Sequence, residues 1–335
     1  GALPWAEKAD LLAWIRQVRA ASFASGLAAP EFAAHAVQPL PAKWTEPLSE
    51  KKVSLGERLY NDKRLSGDDT VSCASCHDLA KGGTDQLKFS VGVRKQVGGI
   101  NAPTVFNAAF NFVQFWDGRA KDLADQAGGP PLNPIEMDAN WPQITGKLAK
   151  DADLTAAYKD VYGSDTWTAA NIQDAIAEFE KTLLTPDSGL DLFLKGDKAA
   201  LTPDEAGGYA LFQRHSCATC HAGESMGGQT FEKPVDAVAF YKALGRAPVK
   251  DDFGRFNESK AEADRFKMKV PNLRNLTVTQ PYLHDGSKTD LKEVVVLMHD
   301  HFVPELNRKP LSDADAVKIA AMLKKSTGKL NGKAL

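Results

Sequence analysis

Cys73-Ala-Ser-Cys-His77 and Cys217-Ala-Thr-Cys-His221 are the stretches of this sequence that decide its fold. In each, two thiols lie one helical turn apart and a histidine follows at once. This pattern attaches haem c through two thioethers and ligates its iron through the imidazole. We therefore expect two covalent haem c groups, called haem 1 and haem 2 in chain order. The predicted attachment residues are Cys73, Cys76, Cys217 and Cys220, and the predicted iron ligands are His77 and His221.

A disulfide or a zinc site is the alternative use of such cysteines. Zinc would need four ligands brought together, and a disulfide explains neither histidine. Because bacteria attach haem c outside the cytoplasm, the motifs predict a periplasmic protein or one on the outer face of a membrane. The start of the chain, Gly1-Ala-Leu-Pro4, has no leader features, so any secretion signal is expected to be removed or to lie upstream.

The composition is that of an ordinary globular protein. The chain has 335 residues, 43% apolar and 25% charged, which is long enough for two domains with separate cores. Its 41 basic and 43 acidic residues give a net charge of -2, and no run of five like charges occurs. This balance argues against a nucleic-acid partner. No apolar stretch of about 18 residues occurs, so no membrane-spanning helix is expected.

The chain contains an internal repeat at an offset of 168 residues. Pro103–Asn107 aligns with Pro271–Asn275, and Asp117-Gly118 aligns with Asp285-Gly286. The second copy carries about 24 more residues between its haem motif and the aligned stretch. We therefore predict a mainly α fold with few short strands, built from two cytochrome c-like haem domains.

Helix signals dominate the rest of the chain. Thr202-Pro-Asp-Glu205 is a capping box with proline at the first helical position. Further helices are expected at residues 169–184 and, after a Ser312 cap, at 313–325. The glycine- and proline-rich stretch 128–131 is expected to be a loop that passes close over a haem face.

Residues 1–45 lie outside the repeat. Leu11, Ile15 and Val18 share one face of a helical pattern, which predicts a helix packed on the protein body. The alternative is a helix that docks on a partner or peripherally on a membrane surface. His35 is expected to be a surface histidine. The predicted domains are an N-terminal helical extension (1–45), a first haem domain (46–186) and a second haem domain (187–335).

Four stretches carry a resemblance to a known family. They are NAPTVFNAAFNFVQFWDGR (101–119), NPIEM (133–137), KVPNLRN (269–275) and PYLHDG (281–286). With the haem motifs, they resemble the bacterial di-haem cytochrome c peroxidases and their relative MauG. In such enzymes the N-terminal haem is the low-potential site that reacts with hydrogen peroxide. The C-terminal haem, with histidine and methionine ligands, passes in electrons, so the resemblance implies a peroxidatic first domain and an electron-transfer second domain.

Met298 and Pro130 point to the same division of labour. Met298 occupies the position of the second copy that corresponds to Pro130 in the first. A thioether can ligate iron and proline has no donor atom, so haem 1 should keep an open position while His221 and Met298 close haem 2. Met298 could instead be a core methionine, in which case Met268 would be the other candidate ligand.

The resemblance implies acid–base roles for Gln126 and Glu136 above haem 1. Peroxide cleavage needs a group that takes a proton from one oxygen and delivers it to the other. Taken alone, Glu136 would be a surface carboxylate and Gln126 a helix-surface residue. Trp116 resembles the tryptophan that lies between the two haems in the family and would couple them electronically. The alternative for Trp116 is a buried core aromatic.

The resemblance also implies a calcium ion between the domains. Asn101 would contribute its side-chain oxygen, and Thr279 and Pro281 their backbone carbonyls, as hard oxygen ligands. His284 matches a residue near the haem propionates. The expected cofactors are therefore two haem c groups and one calcium ion.

Val93 departs from the family pattern. Many family peroxidases have a histidine 16 residues after the first haem histidine, and it blocks the peroxide site until the other haem is reduced. This sequence has Val93 there, and no histidine occurs between His77 and His215. Because neither Val93 nor Pro130 can ligate iron, we expect haem 1 to be constitutively open.

Three functions remain to be weighed. The leading hypothesis, favoured by Met298, is reduction of hydrogen peroxide to water with electrons from a small periplasmic cytochrome c or cupredoxin. The alternative, favoured by Val93 and the extension, is a MauG-like or MbnH-like enzyme that oxidises a tryptophan or another residue of a partner protein. An electron-transfer cytochrome without catalysis would need both irons six-coordinate, which Pro130 disfavours. A homodimer is a further expectation, since family peroxidases are often dimers.

Overall fold

A computed structural model describes residues 36–303 and 309–335 of this chain. The predicted helix with Leu11, Ile15 and Val18, and also His35, lie outside the described residues. Within the described residues, no helix is long and apolar enough to cross a membrane.

Helices make up most of the regular structure. They are α1 (Glu50–Tyr60), α2 (Cys73–Cys76), α3 (Leu123–Ala127), α4 (Gly129–Leu132), α5 (Trp141–Leu148), α6 (Ala152–Tyr162), α7 (Ala169–Glu180), α8 (Gly189–Leu194), α9 (Pro203–Arg214), α10 (Cys217–Cys220), α11 (Ala237–Ala243), α12 (Phe256–Ser259), α13 (Leu291–Phe302) and α14 (Asp313–Lys324). The strands form two antiparallel pairs, β1 (Phe231–Glu232) with β2 (Met268–Lys269) and β3 (Lys329–Leu330) with β4 (Lys333–Ala334). The expected mainly α architecture with short strands is confirmed.

Side-chain caps explain where several helices begin. Thr168 and Ser312 each accept a backbone N–H from the first turn of α7 and α14, which satisfies a donor that the helix itself cannot. At α9, Thr202 and Glu205 form the predicted capping box. The predicted starts of these three helices are therefore confirmed, and α14 ends one residue before the predicted end.

Two expectations about local structure are wrong. The helix predicted for residues 169–184 ends at Glu180, because the chain tightens into a turn in which both the N–H and the hydroxyl of Thr182 donate to the Phe179 carbonyl. The stretch 128–131, predicted as a loop, lies largely in the helical turn α4. A first helical turn tolerates its prolines because their missing N–H groups would have no intrahelical acceptor there.

Each haem motif is preceded by a helix that crosses a later helix at a glycine. Gly56 of α1 lies against the backbone of Ala175 in α7, and Gly208 of α9 lies against that of Lys318 in α14. A Cβ atom at these glycines would come within 1.9 Å and 2.1 Å of the facing carbonyl oxygens. Only glycine therefore permits the two helix pairs to pack this closely.

The N-terminal helices enclose the largest buried cluster. Leu55 of α1, Ile144 of α5 and Ile172 of α7 contribute to it, and so do Val93 and Met137 from two loops. The loop that carries Val93 is therefore anchored in the core.

Residues 37–45, which we assigned to the extension, pack on the protein body. The compact unit begins at Val37. Arg274 is completely buried, pairs with Asp191 at 2.7 Å and donates to the carbonyl of Gln38 at 2.8 Å. The N–H of Leu40 donates to the same aspartate at 3.0 Å. Gln38 and Leu40 are thus tied to the protein body, because the buried Arg274–Asp191 pair takes hydrogen-bond partners from them.

The two stretches aligned at an offset of 168 residues share their local backbone. Asn107 and Asn275 are left-handed, with φ of 61° and 65°, and Phe115 and Leu283 have φ of 67° and 72°. Non-glycine residues rarely adopt this conformation, so its recurrence at matching positions is informative. Corresponding isolated bridges join Gln114 to Ala120 and Tyr282 to Lys288.

Candidate haem sites

Both haem motifs form a single helical turn. In α2 and α10 the two cysteines of each pair are three residues apart, which places both thiols on one helix face. All four cysteines are free of disulfides. The donor set therefore fits two covalently attached haem c groups, and the disulfide alternative is not realised.

The two motif histidines are oriented by backbone carbonyls. His77 Nδ1 lies 3.3 Å from the Gly83 carbonyl oxygen, and His221 Nδ1 lies 3.1 Å from that of Met226. A contact of this kind at Nδ1 leaves Nε2 for a metal. Burial lowers the pKa of both imidazoles, that of His221 to about 4, so they are held in the neutral form that ligates iron.

Glu136 lies beside the first haem motif. The Asn133 amide donates to its Oε1 at 2.7 Å. Burial raises the pKa of Glu136, while the Arg119 guanidinium and the Asn133 hydrogen bond act in the opposite direction. Burial also raises the pKa of the Cys76 thiol to about 11, and the nearby charge of Glu136 adds to this effect. The structure thus places a protonatable carboxyl group next to the haem 1 attachment point.

The loop that carries Val93 is docked on the loop that carries Glu136. The Val93 side chain is completely buried, and its N–H donates to the Glu136 carbonyl at 2.9 Å. Gln96 donates to the Pro134 carbonyl at 2.7 Å, and Arg94 pairs with Asp138. This docking connects residues more than 35 positions apart, and sequence reasoning missed it.

Pro130 and Met298 each follow a helix start that an aspartate caps. Asp122 caps α3 and Asp290 caps α13. Helix α13 continues unbroken through Met298, whereas the chain after α3 restarts as α4 at Gly129, one residue before Pro130. Met298 is partly buried against the cluster of α11 aromatic residues. Gln126 is half-buried on α3, without a side-chain hydrogen bond in the described part of the chain.

Trp116, Asn101 and His284 meet at one junction. The Trp116 indole N–H donates to the Asn101 carbonyl at 3.0 Å, and its ring lies edge-on to that of His284 with centroids 6.2 Å apart. The Asn101 N–H donates to the His284 carbonyl at 2.8 Å, and the Lys269 N–H donates to the Trp116 carbonyl at 2.8 Å. Trp116 and His284 are 168 residues apart, and so are Asn101 and Lys269. The two backbone hydrogen bonds therefore join corresponding positions of the two aligned stretches, one donated by each stretch.

Oxygen atoms suited to calcium are left without hydrogen-bond partners near this junction. The Asn101 amide donates to the Leu87 carbonyl at 2.8 Å, and within residues 36–303 and 309–335 its Oδ1 accepts no hydrogen bond. The carbonyls of Thr279 and Pro281 likewise accept none among the described residues. The described chain has no cluster of three or more His, Cys, Asp or Glu that could hold a metal. A calcium ion here would therefore depend on neutral oxygen ligands.

Sequence reasoning singled out no residue of the insertion, yet Arg246 and Asp252 hold His284. Asp252 Oδ1 lies 2.6 Å from His284 Nε2, and Arg246 binds Asp252 at 2.6 and 2.9 Å and Asp285 at 2.7 Å. Burial alone would raise the pKa of Asp252, but the hydrogen bonds from Arg246 and His284 outweigh it and hold the pKa well below its usual range. One feature of the sequence could have drawn attention to these two residues, namely that the insertion lies between the second haem motif and the stretch that begins at Pro271.

Comparisons with known proteins agree with this site. The family described as "Di-haem cytochrome c peroxidase" matches residues 50–199. "Cytochrome c peroxidase Ccp" of Escherichia coli is 48% identical, over 98% of this chain and 70% of its own. "Cytochrome c551 peroxidase" of Nitrosomonas europaea is 42% identical, over 86% of this chain and 83% of its own. The crystal structure of a MauG-like protein associated with microbial copper homeostasis has a TM-score of 0.72 at 26% identity, over 86% of this chain and 92% of its own.

Proposed function

Because the chain belongs to the di-haem cytochrome c peroxidase and MauG family of haem-dependent oxidoreductases, we propose that it reduces hydrogen peroxide to water at haem 1. The electrons enter through haem 2 from a small periplasmic cytochrome c or cupredoxin. The observation that carries this proposal is the half-buried Glu136 beside the haem 1 motif, with its raised pKa. The identities of 48% and 42% to two peroxidases, against 26% to the MauG-like structure, favour the same activity.

The chain holds two unlike haem environments. Cys73, Cys76 and His77 would hold haem 1, and Cys217, Cys220, His221 and Met298 would hold haem 2. When bound, the haems supply redox-active iron, with one coordination position left open at haem 1. Pro130 offers no ligand to that position, and Val93 is buried in the core rather than free to reach it. These features support a constitutively open haem 1.

Glu136 is the group that moves the proton. Reduction of one peroxide to two waters consumes two protons and two electrons, and it requires a proton to pass from one peroxide oxygen to the other. A carboxyl group can accept that proton and return it, and burial, which raises the pKa of Glu136, favours its protonated form. Gln126 would orient the peroxide through its amide, while Trp116 couples the two haems across the junction with His284.

The remaining features of the site belong to the same proposal. The recurring left-handed residues and bridges support two haem domains, 46–186 and 187–335, related by an internal repeat. The free oxygens of Asn101, Thr279 and Pro281 support one calcium ion between them. The haem c motifs support export to the periplasm, and assembly as a homodimer completes the proposal.

The test is peroxide-dependent oxidation of a reduced small cytochrome c by the purified two-haem protein. We expect two donor molecules oxidised per peroxide, since each donor carries one electron. The second candidate function, oxidation of a residue on a partner protein, is favoured by Val93 and by the MauG-like fold match. A mass change on such a partner, with no turnover of small cytochromes or cupredoxins, would establish that function instead.

A further inference from the structure

Lys269 is a buried lysine without a counter-ion from the described protein. Its exposure is 5%, and its ammonium makes no hydrogen bond or ion pair with any residue in 36–303 or 309–335. Burial lowers the pKa of Lys269 to about 8, so the side chain is still mostly protonated at pH 7. An isolated buried charge is strongly unfavourable unless it is paired. Because the Lys269 Nζ is not completely cut off from solvent, the site favours an anion rather than requiring one.

Carboxylates on the chain segments that adjoin β2 are already engaged with other partners. Asp264 pairs with Lys267 at 2.9 Å, Asp252 pairs with Arg246, and Asp117 pairs with Arg119 at 2.8 Å. On the neighbouring strand, Glu232 accepts from the Thr230 hydroxyl at 3.2 Å. The residue that pairs directly with Lys269 across the two strands is the apolar Phe231. The anion is thus not a side chain of these elements.

The backbone around Lys269 leads to haem 2 on one side and to Trp116 on the other. The Val270 carbonyl accepts from the Gly228 N–H at 2.8 Å, and the carbonyl of Pro271, two residues on from Lys269, lies near the His221 imidazole. The Lys269 N–H itself donates to the Trp116 carbonyl. Lys269 is therefore tied both to the segment that holds the haem 2 histidine and to the proposed coupling residue.

We propose that the Lys269 ammonium is the counter-ion of a haem 2 propionate beside Trp116. Each haem c carries two propionate carboxylates, and they are the anions that attachment at Cys217 and Cys220 would bring to this part of the chain. Lys269 also corresponds to Asn101 in the first copy, where the proposed calcium would lie, so a cation stands at both related positions. The inference rests on the proposed function in requiring two bound haems.

The experiment measures the midpoint potentials of both haems in the two-haem protein by spectroelectrochemistry. Removing a positive charge next to a propionate favours ferric iron, so Lys269→Met should lower the haem 2 reduction equilibrium constant about tenfold, or about 59 mV for one electron. Lys269→Arg, which keeps the charge, should stay close to the parent. Lys267→Met is the matched control, because it removes a nearby lysine that is already paired with Asp264.

Equal haem 2 potentials in the parent and Lys269→Met would overturn the proposal, and so would an equal shift in Lys267→Met. If Lys269→Met fails to mature, a crystal structure of the two-haem parent decides. The ammonium should then lie within hydrogen-bond distance of a propionate oxygen, and any other counter-ion would refute the assignment. Failure of the proposed function can be told apart from failure of this assignment, because it would appear as absent peroxide turnover in the parent and not as a change in haem 2 potential.

Discussion

At the scale of single residues, Glu136 and Glu180 are carboxyl groups whose pKa is raised by burial. Glu136 keeps a hydrogen bond from Asn133 and stands near the Arg119 guanidinium. Glu180, near the end of α7, is more strongly buried, and its Oε2 has no hydrogen-bond partner in the described chain. The first group has the surroundings of an acid–base residue, whereas the second weakens the fold when it ionises.

Glu136→Gln should lower peroxide turnover by about 10²-fold, the scale for losing a positioned acid–base group. The amide keeps the shape and can still hydrogen-bond, but it cannot accept and return a proton. Stopped-flow kinetics with a reduced donor would measure the loss, and haem content should be unchanged. Glu57→Gln, an exposed change on α1, is the control. Turnover close to the parent would remove Glu136 from the mechanism.

Glu180 predicts a pH-dependent stability. Burial raises its pKa to about 8, well above the unfolded value, so the unfolded chain releases this proton at lower pH than the folded one. The free energy of unfolding is therefore not reduced by Glu180 below about pH 4.3, where the group is protonated in both states. It falls as pH rises toward 8, because the unfolded chain ionises first. The free energy of unfolding of Glu180→Gln should therefore gain on that of the parent as pH rises. The difference between variant and parent should be larger at pH 8 than at pH 5 by at least about 1.4 kcal/mol, the equivalent of one pKa unit.

Urea unfolding at the two pH values would measure this difference. The exposed change Glu258→Gln should leave the pH dependence of the parent intact. An identical pH dependence in the parent and Glu180→Gln would show that Glu180 does not ionise in this range.

At the scale of elements, Arg246 and Asp252 of the insertion before β2 hold the segment after Pro281 in place, and these contacts are called the clamp. Asp252 is almost completely buried and joins Arg246 to His284. Arg246 also reaches Asp285 in the next segment. The insertion thereby fixes the ring that faces Trp116.

Asp252→Asn should destabilise the protein by about 1.5–3 kcal/mol, the range for hydrogen bonds to charged groups. The amide leaves the Arg246 charge partly uncompensated and weakens the contact with His284. Urea unfolding at neutral pH would measure the loss. Its exposed neighbour provides the control, since Asp251→Asn removes the same charge without these contacts. Equal stability of the two variants would mean that the clamp does not contribute.

At the scale of the whole molecule, several contacts between the two halves join residues at corresponding positions of the aligned stretches. The Thr185 hydroxyl accepts the side-chain amides of Asn107 at 2.8 Å and Asn275 at 2.9 Å. These asparagines occupy corresponding positions of the two copies, and Trp116 and His284 do the same. Contacts between matching residues are expected where two related domains face each other.

The whole-molecule prediction is that peroxide reacts without prior reduction of haem 2. Because Val93 is buried and Pro130 has no donor atom, the fully oxidised protein should contain a high-spin haem in its absorption and EPR spectra. Mixing it with peroxide should change the haem 1 spectrum at the same rate with or without one-electron reduction. The variant His35→Ala checks that this histidine does not cap the iron. Purely low-spin oxidised protein that reacts only after reduction would contradict the open site.

The haem motifs, the helix starts and the mainly α class could be predicted from the sequence because they depend on residues close together in the chain. Two thiols and a histidine within five residues define haem attachment, and Thr202 with Glu205 caps a helix within one turn. The helix end at Glu180 and the helical turn at Pro130 were missed, since propensity does not determine where packing ends an element.

Only the tertiary structure decided which distant residues meet. Packing docks Val93 on Glu136 and holds Asp252 against His284, and it leaves Lys269 without a counter-ion among the residues that the structure describes. The energies of these groups depend on burial, since a charge or a carbonyl that is harmless in water must find a partner once it is enclosed. Residue spacing determined the chemistry that this protein can carry, and packing determined how its two haem sites are protected and connected.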